Sequence, residues 1–534
     1  MKKHIVITIA SLCVAASMVS CSSGFLDSEP MTQKTDANYY KTPEDAWETL
    51  VGCYNQLPGG YGDLFVVSNI ASDDCYGGGG YTDAYGNQIW DEWTDYNDLE
   101  INRYTWTSRL FRAVRRCNVL CEQLDNIEWG DNTQLRTQYE AEGRMLRAYF
   151  FFELQRNFGH IPLVKSSDSE LIPQSDPDEV YAYIIEDLKF AINNLPSTSF
   201  QAASPDNFGR VTKWAAQGYL ARVYLFYTGY YEKGDAPGLT KQEVTSYLED
   251  CIQNSGHSLV PRYGSLWPWS RRTDYHGDAT LAYAGEYNPE IVLSIRHSIQ
   301  RPNQLHRYTG MRGIPNAGDY DPFYPGWGMA TITSKCFNSF AEGDTRRFAS
   351  IIDLKTEGIP NDGSDQREFT GYVQKKYQTQ TDPNNKTGSY PQTSGGNSWQ
   401  AEEQDLVLMR YSDILLMAAE LQLESNQSKA QAYLDMVRDR AFEDTNHRVT
   451  ATKESIFNER GFEFVFEGIR YFDVLRQGLA KAKEILDVKN DIVWNGKQQA
   501  YKNIDFPLIK EGLLRIPESQ ITISEGMLVQ NPGW

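Results

Sequence analysis

Helical periodicity recurs along this chain and constrains its fold more than any other feature. Between Thr133 and Phe158, apolar side chains return every three to four residues with Glu and Arg between them, as in an amphipathic helix. Gly159 and Pro162 then end this helix. Further helices are predicted over Asp178–Asn193, Lys213–Tyr227, Asp405–Glu424, Ser428–Ala441, Glu454–Leu475 and Lys481–Leu486. Helix pairs in this number predict an all-α scaffold with tetratricopeptide-like packing, although no repeat matches a consensus spacing.

Long polar stretches separate the helical blocks, over Leu57–Glu100, Ser255–Lys335 and Lys355–Gln400. Loops of this length inside a folded protein are usually functional or disordered, so we expect large excursions from the scaffold. The first stretch contains a glycine run from Gly77 to Gly80. No Lys-Ser or Lys-Thr pair follows it, so the run is interpreted as a flexible loop and not as a phosphate-binding loop.

The N-terminus has the pattern of a bacterial lipoprotein signal. Lys2 and Lys3 precede an apolar stretch that is too short for a membrane-spanning helix, which needs roughly 20 apolar residues. The stretch ends in Met-Val-Ser before Cys21, which predicts a signal peptide over residues 1–20 and an acylated cysteine. An ordinary signal peptide cut nearby is the alternative. Because each buried CH₂ is worth ~0.8 kcal/mol, a multiply acylated Cys21 would anchor the chain to a bilayer.

Charge and cysteine content exclude several classes of protein. The chain has 51 basic and 71 acidic residues, a net charge of −20, which argues against nucleic acid and against recruitment by anionic lipid. The cysteines have neither the density nor the spacing of a disulfide framework, and Cys117 and Cys121 are interpreted as buried free thiols. No histidine pair has metal-binding helical spacing. No cofactor is expected. The acidic loops leave a structural calcium ion as an alternative, although no EF-hand spacing supports it.

A charged stripe marks the segment from Asn458 to Arg476. On a helix, its acidic and basic residues would share one face beside a row of apolar residues. A glycosidase carboxylate pair is one interpretation, but such pairs face each other across a cleft. Stacked charges on one helix are more typical of a structural network that orients neighbouring helices. The residues assigned to this network are Glu459, Glu463, Glu467, Arg470 and Asp473.

Aromatic residues concentrate in the Gly- and Asp-rich excursions. A flat ring covers the C–H face of a sugar, while Asp, Asn and Arg bond its hydroxyls. The set as a whole therefore favours a ligand surface, although each ring could instead pack a loop onto the core or contact a protein partner. The candidate ligand-binding residues are Asp73, Asp74, Tyr76, Trp90, Trp93, Tyr96, Trp267, Trp269, Tyr275, Tyr320, Tyr324 and Trp327.

Five spaced motifs, in order, resemble those of the SusD/RagB family of Bacteroidetes outer-membrane lipoproteins. Gly143 and Ser412 depart from the usual alanine, and Met18 from the usual lipobox leucine. The resemblance runs from Cys21 to the C-terminus. The matching segments are Ala141–Val164, Gly209–Tyr224, Met409–Met417, Glu459–Arg476 and Gln530–Trp534.

The resemblance implies one SusD-like domain over residues 21–534, with an N-terminal part near 22–230 and a C-terminal part near 280–534. It implies a helical fold whose long loop excursions carry minor β structure. It also implies a non-catalytic, surface-facing lipoprotein of the outer membrane that passes an oligo- or polysaccharide to a SusC-like TonB-dependent transporter. A RagB-type peptide importer is the alternative, and a glycoside hydrolase is less favoured. Ligand contacts would come from the Asp73–Tyr96 and Trp267–Trp327 regions.

Overall fold

Helices dominate the described chain. The computed structural model describes residues 39–57, 63–83, 92–93, 104–168, 171–298, 303, 305–313, 323, 326–378 and 404–534. Predictions for Cys21, Trp90, Tyr96, Tyr320 and Tyr324 lie outside these residues. The helices are α1 Pro43–Tyr54, α2 Asp63–Ile70, α3 Arg112–Gln123, α4 Thr133–Phe158, α5 Pro177–Asn194, α6 Lys213–Tyr230, α7 Lys241–Asn254, α8 Thr273–His276, α9 Leu305–Thr309, α10 Ser334–Ser339, α11 Thr345–Ser350, α12 Tyr411–Gln422, α13 Gln427–Phe442, α14 Lys453–Glu463, α15 Arg470–Leu475, α16 Leu479–Leu486 and α17 Glu518–Ile523.

Consecutive helices pack against each other in both halves of the chain, which confirms the predicted helical scaffold. In the first half α4 packs on α5, α5 on α6 and α6 on α7, and in the second half α12 packs on α13. Helix α7 also contacts α12, which joins the two halves. Among the described residues, no helix combines the length and apolar character needed to cross a bilayer.

The ends of the scaffold helices follow from local sequence. The Asp176 side chain caps α5 by accepting a hydrogen bond from the Asp178 backbone N–H, and Pro177 occupies the first turn. Helix α4 ends at Gly159, whose φ of 68° places it in the left-handed region. A Cβ at Gly159 would lie 2.6 Å from a Leu513 methyl group, so glycine also allows the C-terminal segment to pack closely here.

Short strands form four two-stranded antiparallel sheets in the described chain. Two of the four pairs connect distant segments, since they join strands that are not consecutive along the chain. The strands are β1 Cys75–Gly78, β2 Ile291–Ile295, β3 Met329–Ile332, β4 Ile351–Asp353, β5 Tyr372–Gln374, β6 Leu406–Arg410, β7 Val488–Asn495 and β8 Gln498–Ile504. The pairs are β1 with β3, β2 with β6, β4 with β5 and β7 with β8.

Two predicted helices are wrong at one end or in the middle. The predicted helix Asp405–Glu424 begins only at Tyr411, because Leu406–Arg410 pairs with β2 as a strand. A short buried apolar run has the same pattern in a strand and in a helix, so periodicity does not separate them. The predicted helix Glu454–Leu475 is interrupted after Glu463, where Phe466 and Gly468 have φ of 62° and 74°.

This interruption places the charged stripe on two helices and a turn. Glu459 and Glu463 lie on α14, Glu467 lies in the turn, and Arg470 and Asp473 lie on α15. The stripe is therefore not one helical face. Every member nevertheless forms an ion pair with another element, as a structural network requires.

Glu463 lies at the centre of the buried network. It accepts hydrogen bonds from Arg410 at 2.6 Å and from Arg346 at 3.2 Å, and a further bond from Arg440. Burial alone would raise the pKa of Glu463, but the three guanidinium charges outweigh it and hold the pKa below its ordinary value. The carboxylate is thus ionised and fully paired, which gives it a structural role.

Arg410 extends the network to the excursions. Its guanidinium donates to Glu290, next to β2, at 2.7 Å and to Glu467 at 2.8 Å. Lys376, just after β5, donates to Glu467 at 2.8 Å and to the Val465 carbonyl at 2.6 Å. One buried cluster therefore connects α14, the turn, β6 and the chain around β2 and β5.

A second link joins β1 to α15. The Arg470 guanidinium forms a bidentate ion pair with the Asp73 carboxylate, with N–O distances of 2.8 and 3.2 Å. The adjacent Asp74 is buried, and its Oδ2 atom has no hydrogen-bond partner among the described residues. Burial, together with the charge of Asp73, raises the pKa of Asp74 to about 7.

We expect Arg410→Met to lower the free energy of unfolding by about 3–5 kcal/mol, because it leaves buried carboxylates without their partner. Chemical denaturation at neutral pH measures this. The control is Arg448→Met, which removes a guanidinium paired with Asp439 at the surface and should leave the unfolding midpoint close to that of the parent. A loss for Arg410→Met no larger than the control's would contradict the central role of the network.

We expect Asp74→Asn to stabilise the protein more at pH 7.5 than at pH 4.5. The folded state holds the Asp74 proton up to about pH 7, whereas the unfolded state releases it near pH 4, so the parent loses stability as pH rises through this window. The amide cannot ionise and avoids this loss, for a difference of about 3 kcal/mol between the two pH values. Urea denaturation at both pH values measures it. An equal effect of the substitution at the two pH values would refute the buried-acid interpretation, and Asp131→Asn, at an exposed position, is the control.

Candidate functional site

Several of the predicted ligand-binding rings lie in the core. Trp267 and Trp269 are 1% and 0% exposed, and the indole N–H of Trp269 donates to the Ala349 carbonyl at 3.0 Å. Tyr76 is 2% exposed, and its hydroxyl donates to Asp491 at 2.5 Å. A ring surrounded by protein cannot stack on a sugar, so the prediction of ligand contact is wrong for these three residues in this conformation.

Other predicted residues also serve packing or ion pairing. Trp93 is buried against Phe506, at a ring-centroid distance of 5.4 Å, and against Tyr471. The half-buried Tyr275 donates its hydroxyl to Glu357. Asp73 and Asp74 lie at the joint between β1 and α15, as described above. For these residues, too, the structure supports a packing or linking role in place of ligand contact.

Trp327, like Tyr275, is a half-buried mid-chain candidate. The Arg307 guanidinium lies 4.2 Å from its ring centroid, and Tyr308 packs edge-on at 5.0 Å. Its backbone N–H donates to the Arg307 carbonyl at 2.7 Å. These contacts hold the indole in one orientation, so it is a pre-positioned ring at the base of the mid-chain excursion.

Strand pairing brings the two predicted ligand regions together. Strand β1 of the early excursion pairs with β3, which directly follows Trp327. The glycine run is therefore not a flexible loop, since Gly77 and Gly78 belong to β1 and Gly79 donates to the Gly328 carbonyl at 2.8 Å. A Cβ at Gly78 would lie 2.5 Å from the Gly328 carbonyl oxygen, so glycine permits this close approach.

Several charged side chains lie close together just after Gly80, the end of the glycine run. Arg312 forms ion pairs with Asp83 at 2.8 Å and with Asp365 at 3.1 Å. Arg367 donates to the Asp83 carbonyl at 3.0 Å. The ring of Tyr81 projects beside this group and is 46% exposed. We call Tyr81, Asp83, Arg312, Trp327 and Asp365 the excursion surface.

The excursion surface combines accessible ring faces with fixed donors and acceptors. Rings can cover C–H patches, while the guanidinium and the carboxylates can bond hydroxyl groups. Among the described residues, no group of three or more His, Cys, Asp or Glu side chains could hold a metal ion.

A separate cavity of about 410 Å³ lies in the helical scaffold. It is lined by the stacked rings of Phe200 and Tyr287, with Glu142 and Arg210 paired at one side. The Ser294 hydroxyl on its wall is buried without a partner among the described residues. Its volume suits a small molecule, but it contains none of the predicted ligand-binding residues.

Three features were not among the ligand contacts predicted from the sequence: Tyr81, Arg312 and the β7–β8 hairpin. Tyr81 stood in the aromatic early region but was not among the predicted contacts. The hairpin had a readable signal in Asn495-Gly496, a turn dipeptide between runs of alternating polarity. The pairing of Arg312 with Asp83 had no signal, because it depends on the tertiary pairing of β1 with β3.

Comparisons with known proteins agree with this fold. Two family profiles match the chain, "SusD family" over residues 289–534 and "Starch-binding associating with outer membrane" over residues 26–225. A SusD-like protein of Bacteroides ovatus is 24% identical over 489 residues, 89% of this chain and 82% of the relative. A SusD-like protein of Formosa agariphila, P2, is 22% identical over the full length of both chains.

Solved structures match over almost the whole chain. A laminarin-binding SusD-like protein has a TM-score of 0.74 at 26% identity, covering 93% of this chain and 100% of the other. Surface glycan-binding protein A from Bacteroides thetaiotaomicron, in complex with laminarihexaose, has a TM-score of 0.73 at 24% identity, covering 92% and 100%. By fold, by the two family profiles and by its motifs, this chain belongs to the SusD/RagB family.

Proposed function

We propose that this protein is a non-catalytic surface lipoprotein that binds a glycan and delivers it to a SusC-like TonB-dependent transporter. The observation that carries the proposal is the pairing of β1 with β3. This pairing joins the early and mid-chain excursions into one surface with Tyr81, Trp327 and the Asp83–Arg312–Asp365 cluster.

The geometry of the excursion surface suits a sugar better than a charged ligand. Arg312 is already neutralised by two carboxylates, so the cluster offers directed hydrogen bonds without a large net charge. The net charge of −20 disfavours a polyanionic polysaccharide. We therefore infer an uncharged glycan. The structural relatives named for laminarin and laminarihexaose, a neutral glucan and its oligomer, support this ligand class.

The buried carboxylates support binding without catalysis. A glycosidase needs one carboxyl that donates a proton and one carboxylate that faces the substrate. Glu463 is held ionised by three arginines, and Glu459 is paired with Arg346 and Arg438. Neither carboxylate is available for such a role.

An acylated Cys21 would place this surface at the outer membrane. The description of the N-terminal family profile, "Starch-binding associating with outer membrane", supports the location. The chain from Cys21 to Tyr39, where the described residues begin, could span at most about 60 Å when extended.

We expect Tyr81→Ala and Trp327→Ala each to weaken binding of laminarihexaose by roughly two- to tenfold, because each removes a ring face from the excursion surface. Isothermal titration calorimetry measures the dissociation constants. Tyr247→Ala, which removes a partly buried ring from scaffold helix α7, is the matched control and should bind as the parent does.

The same titration, extended to a panel of neutral glycans and to peptides, separates the proposed function from the RagB-type alternative. Unchanged binding in both ring variants would reject the excursion surface as the site. A parent protein that binds no glycan, and whose complex from cells contains peptides, would reject the glycan ligand.

We expect Cys21→Ala to release the protein from the membrane fraction, because the acyl chains supply the membrane affinity. Immunoblotting of membrane and soluble fractions measures the distribution. Cys13→Ala, within the predicted signal peptide, is the control and should remain with the membrane. Retention of Cys21→Ala in the membrane fraction would refute the lipid anchor.

A further inference from the structure

The β7–β8 hairpin presents one face to solvent and one to the protein. A two-residue loop, Gly496-Lys497, joins the strands, with Ile492 opposite Tyr501 and Trp494 opposite Gln499. Side chains alternate between the two faces of a strand, so these four residues share one face. Val493, on the other face, is 1% exposed.

The outward face carries large rings that contribute little to the core. Trp494 is 41% exposed, Tyr501 61% and Ile492 50%. Among the tryptophans that the structure describes, Trp494 is the one that is largely exposed, and the others are buried or half-buried. Exposed rings grouped on one face mark a binding surface.

Contacts on the inward face hold the hairpin rigidly. Trp494 and Phe369 exchange two backbone hydrogen bonds, of 2.8 and 2.9 Å. Lys502, 6% exposed, donates to Glu368 at 2.5 Å and to Glu92 at 2.8 Å. The strands that carry the outward rings are thus held in place before any ligand arrives, which reduces the entropy cost of binding.

Amide side chains are frequent in the hairpin. Gln499 donates its amide to the Tyr501 hydroxyl at 3.3 Å, which sets the orientation of both groups. Amides offer donors and acceptors without charge, as the hydroxyl groups of a neutral sugar require. The amide residues of the hairpin are Asn490, Asn495, Gln498, Gln499 and Asn503.

The hairpin is continuous with the excursion surface. Its tip lies against Tyr81, since a Cβ at Gly496 would lie 3.5 Å from the Tyr81 ring. Gly496 also donates its backbone N–H to the Gln366 carbonyl at 2.8 Å, next to Asp365. A chain-like ligand that leaves Tyr81 along this side therefore reaches the hairpin next.

We propose that the outward face of the β7–β8 hairpin is a second contact for an uncharged polysaccharide, with Trp494 and Tyr501 as its stacking rings. Trp494 and Tyr501 are diagonal neighbours across the strands, about 7–8 Å apart at the backbone. They can cover separate sugar units of one chain. This inference rests on the proposed glycan-binding function and extends its surface.

The second contact makes affinity depend on glycan length. A short oligosaccharide fills only the excursion surface, whereas a long chain engages both surfaces. Once the first surface is occupied, the second binding event is intramolecular, so the gain with length exceeds what one surface supplies. A variant without the hairpin rings should lose this gain and keep its affinity for the short ligand.

The test compares laminarihexaose with laminarin polysaccharide. For Trp494→Ala combined with Tyr501→Ala, we expect laminarin binding to weaken by roughly 4- to 100-fold, or two- to tenfold for each ring, with a much smaller change for the hexaose. Calorimetry and affinity electrophoresis in gels with laminarin, starch or xylan measure both ligands. Thermal unfolding checks that each variant is folded. Trp494→Phe keeps an aromatic ring, so it should bind laminarin with most of the affinity of the parent. Tyr247→Ala is the control.

The outcomes of this test distinguish the second contact from the proposed glycan-binding function. Weaker retardation of the double variant in a gel that retards the parent supports the second contact. Equal retardation of the two proteins overturns it and leaves the proposed function intact. Equal losses for the hexaose and the polysaccharide also overturn it, since the hairpin would then belong to the first surface. A parent that no polysaccharide retards overturns the glycan function together with this inference.

Discussion

The ion pair between Arg410 and Glu463 is the interaction on which the rest of the structure depends. Both side chains are buried, and removing either would leave its partner charged in a medium that solvates charge poorly. Such a pair is stable only when every remaining donor and acceptor is satisfied. Arg346, Arg440 and Glu290 complete the set, so five segments of the chain must meet in one geometry.

That requirement explains how the proposed ligand surface is attached to the core. Lys376 follows β5 and reaches the network through Glu467, while Arg470 on α15 binds Asp73 just before β1. Strand β1 then pairs with β3, which follows Trp327. The excursions are therefore fixed to the core by charge and by backbone pairing, so loops beyond these points can vary without disturbing the scaffold.

Helices with long, regular periodicity were predictable from sequence, and contacts between distant segments were not. The boundaries of α4 follow from its apolar spacing and from Gly159. Trp267 and Trp269 were placed at the surface because their neighbours resemble a loop, yet they pack in the core. Periodicity describes one segment at a time, so burial by a segment a hundred residues away leaves no local signal.

The high aromatic content of the chain therefore reflects core packing more than ligand binding. Rings make up 13% of all residues, but most of the described ones pack inside and supply core area. Three of those left exposed, Tyr81, Trp494 and Tyr501, lie on adjoining parts of one side. A few separate ring contacts give modest affinity for any one sugar unit, so tight capture requires a ligand long enough to meet several of them. On the proposed function, this arrangement would favour extended chains over small sugars, which is the property a surface receptor for polysaccharide needs.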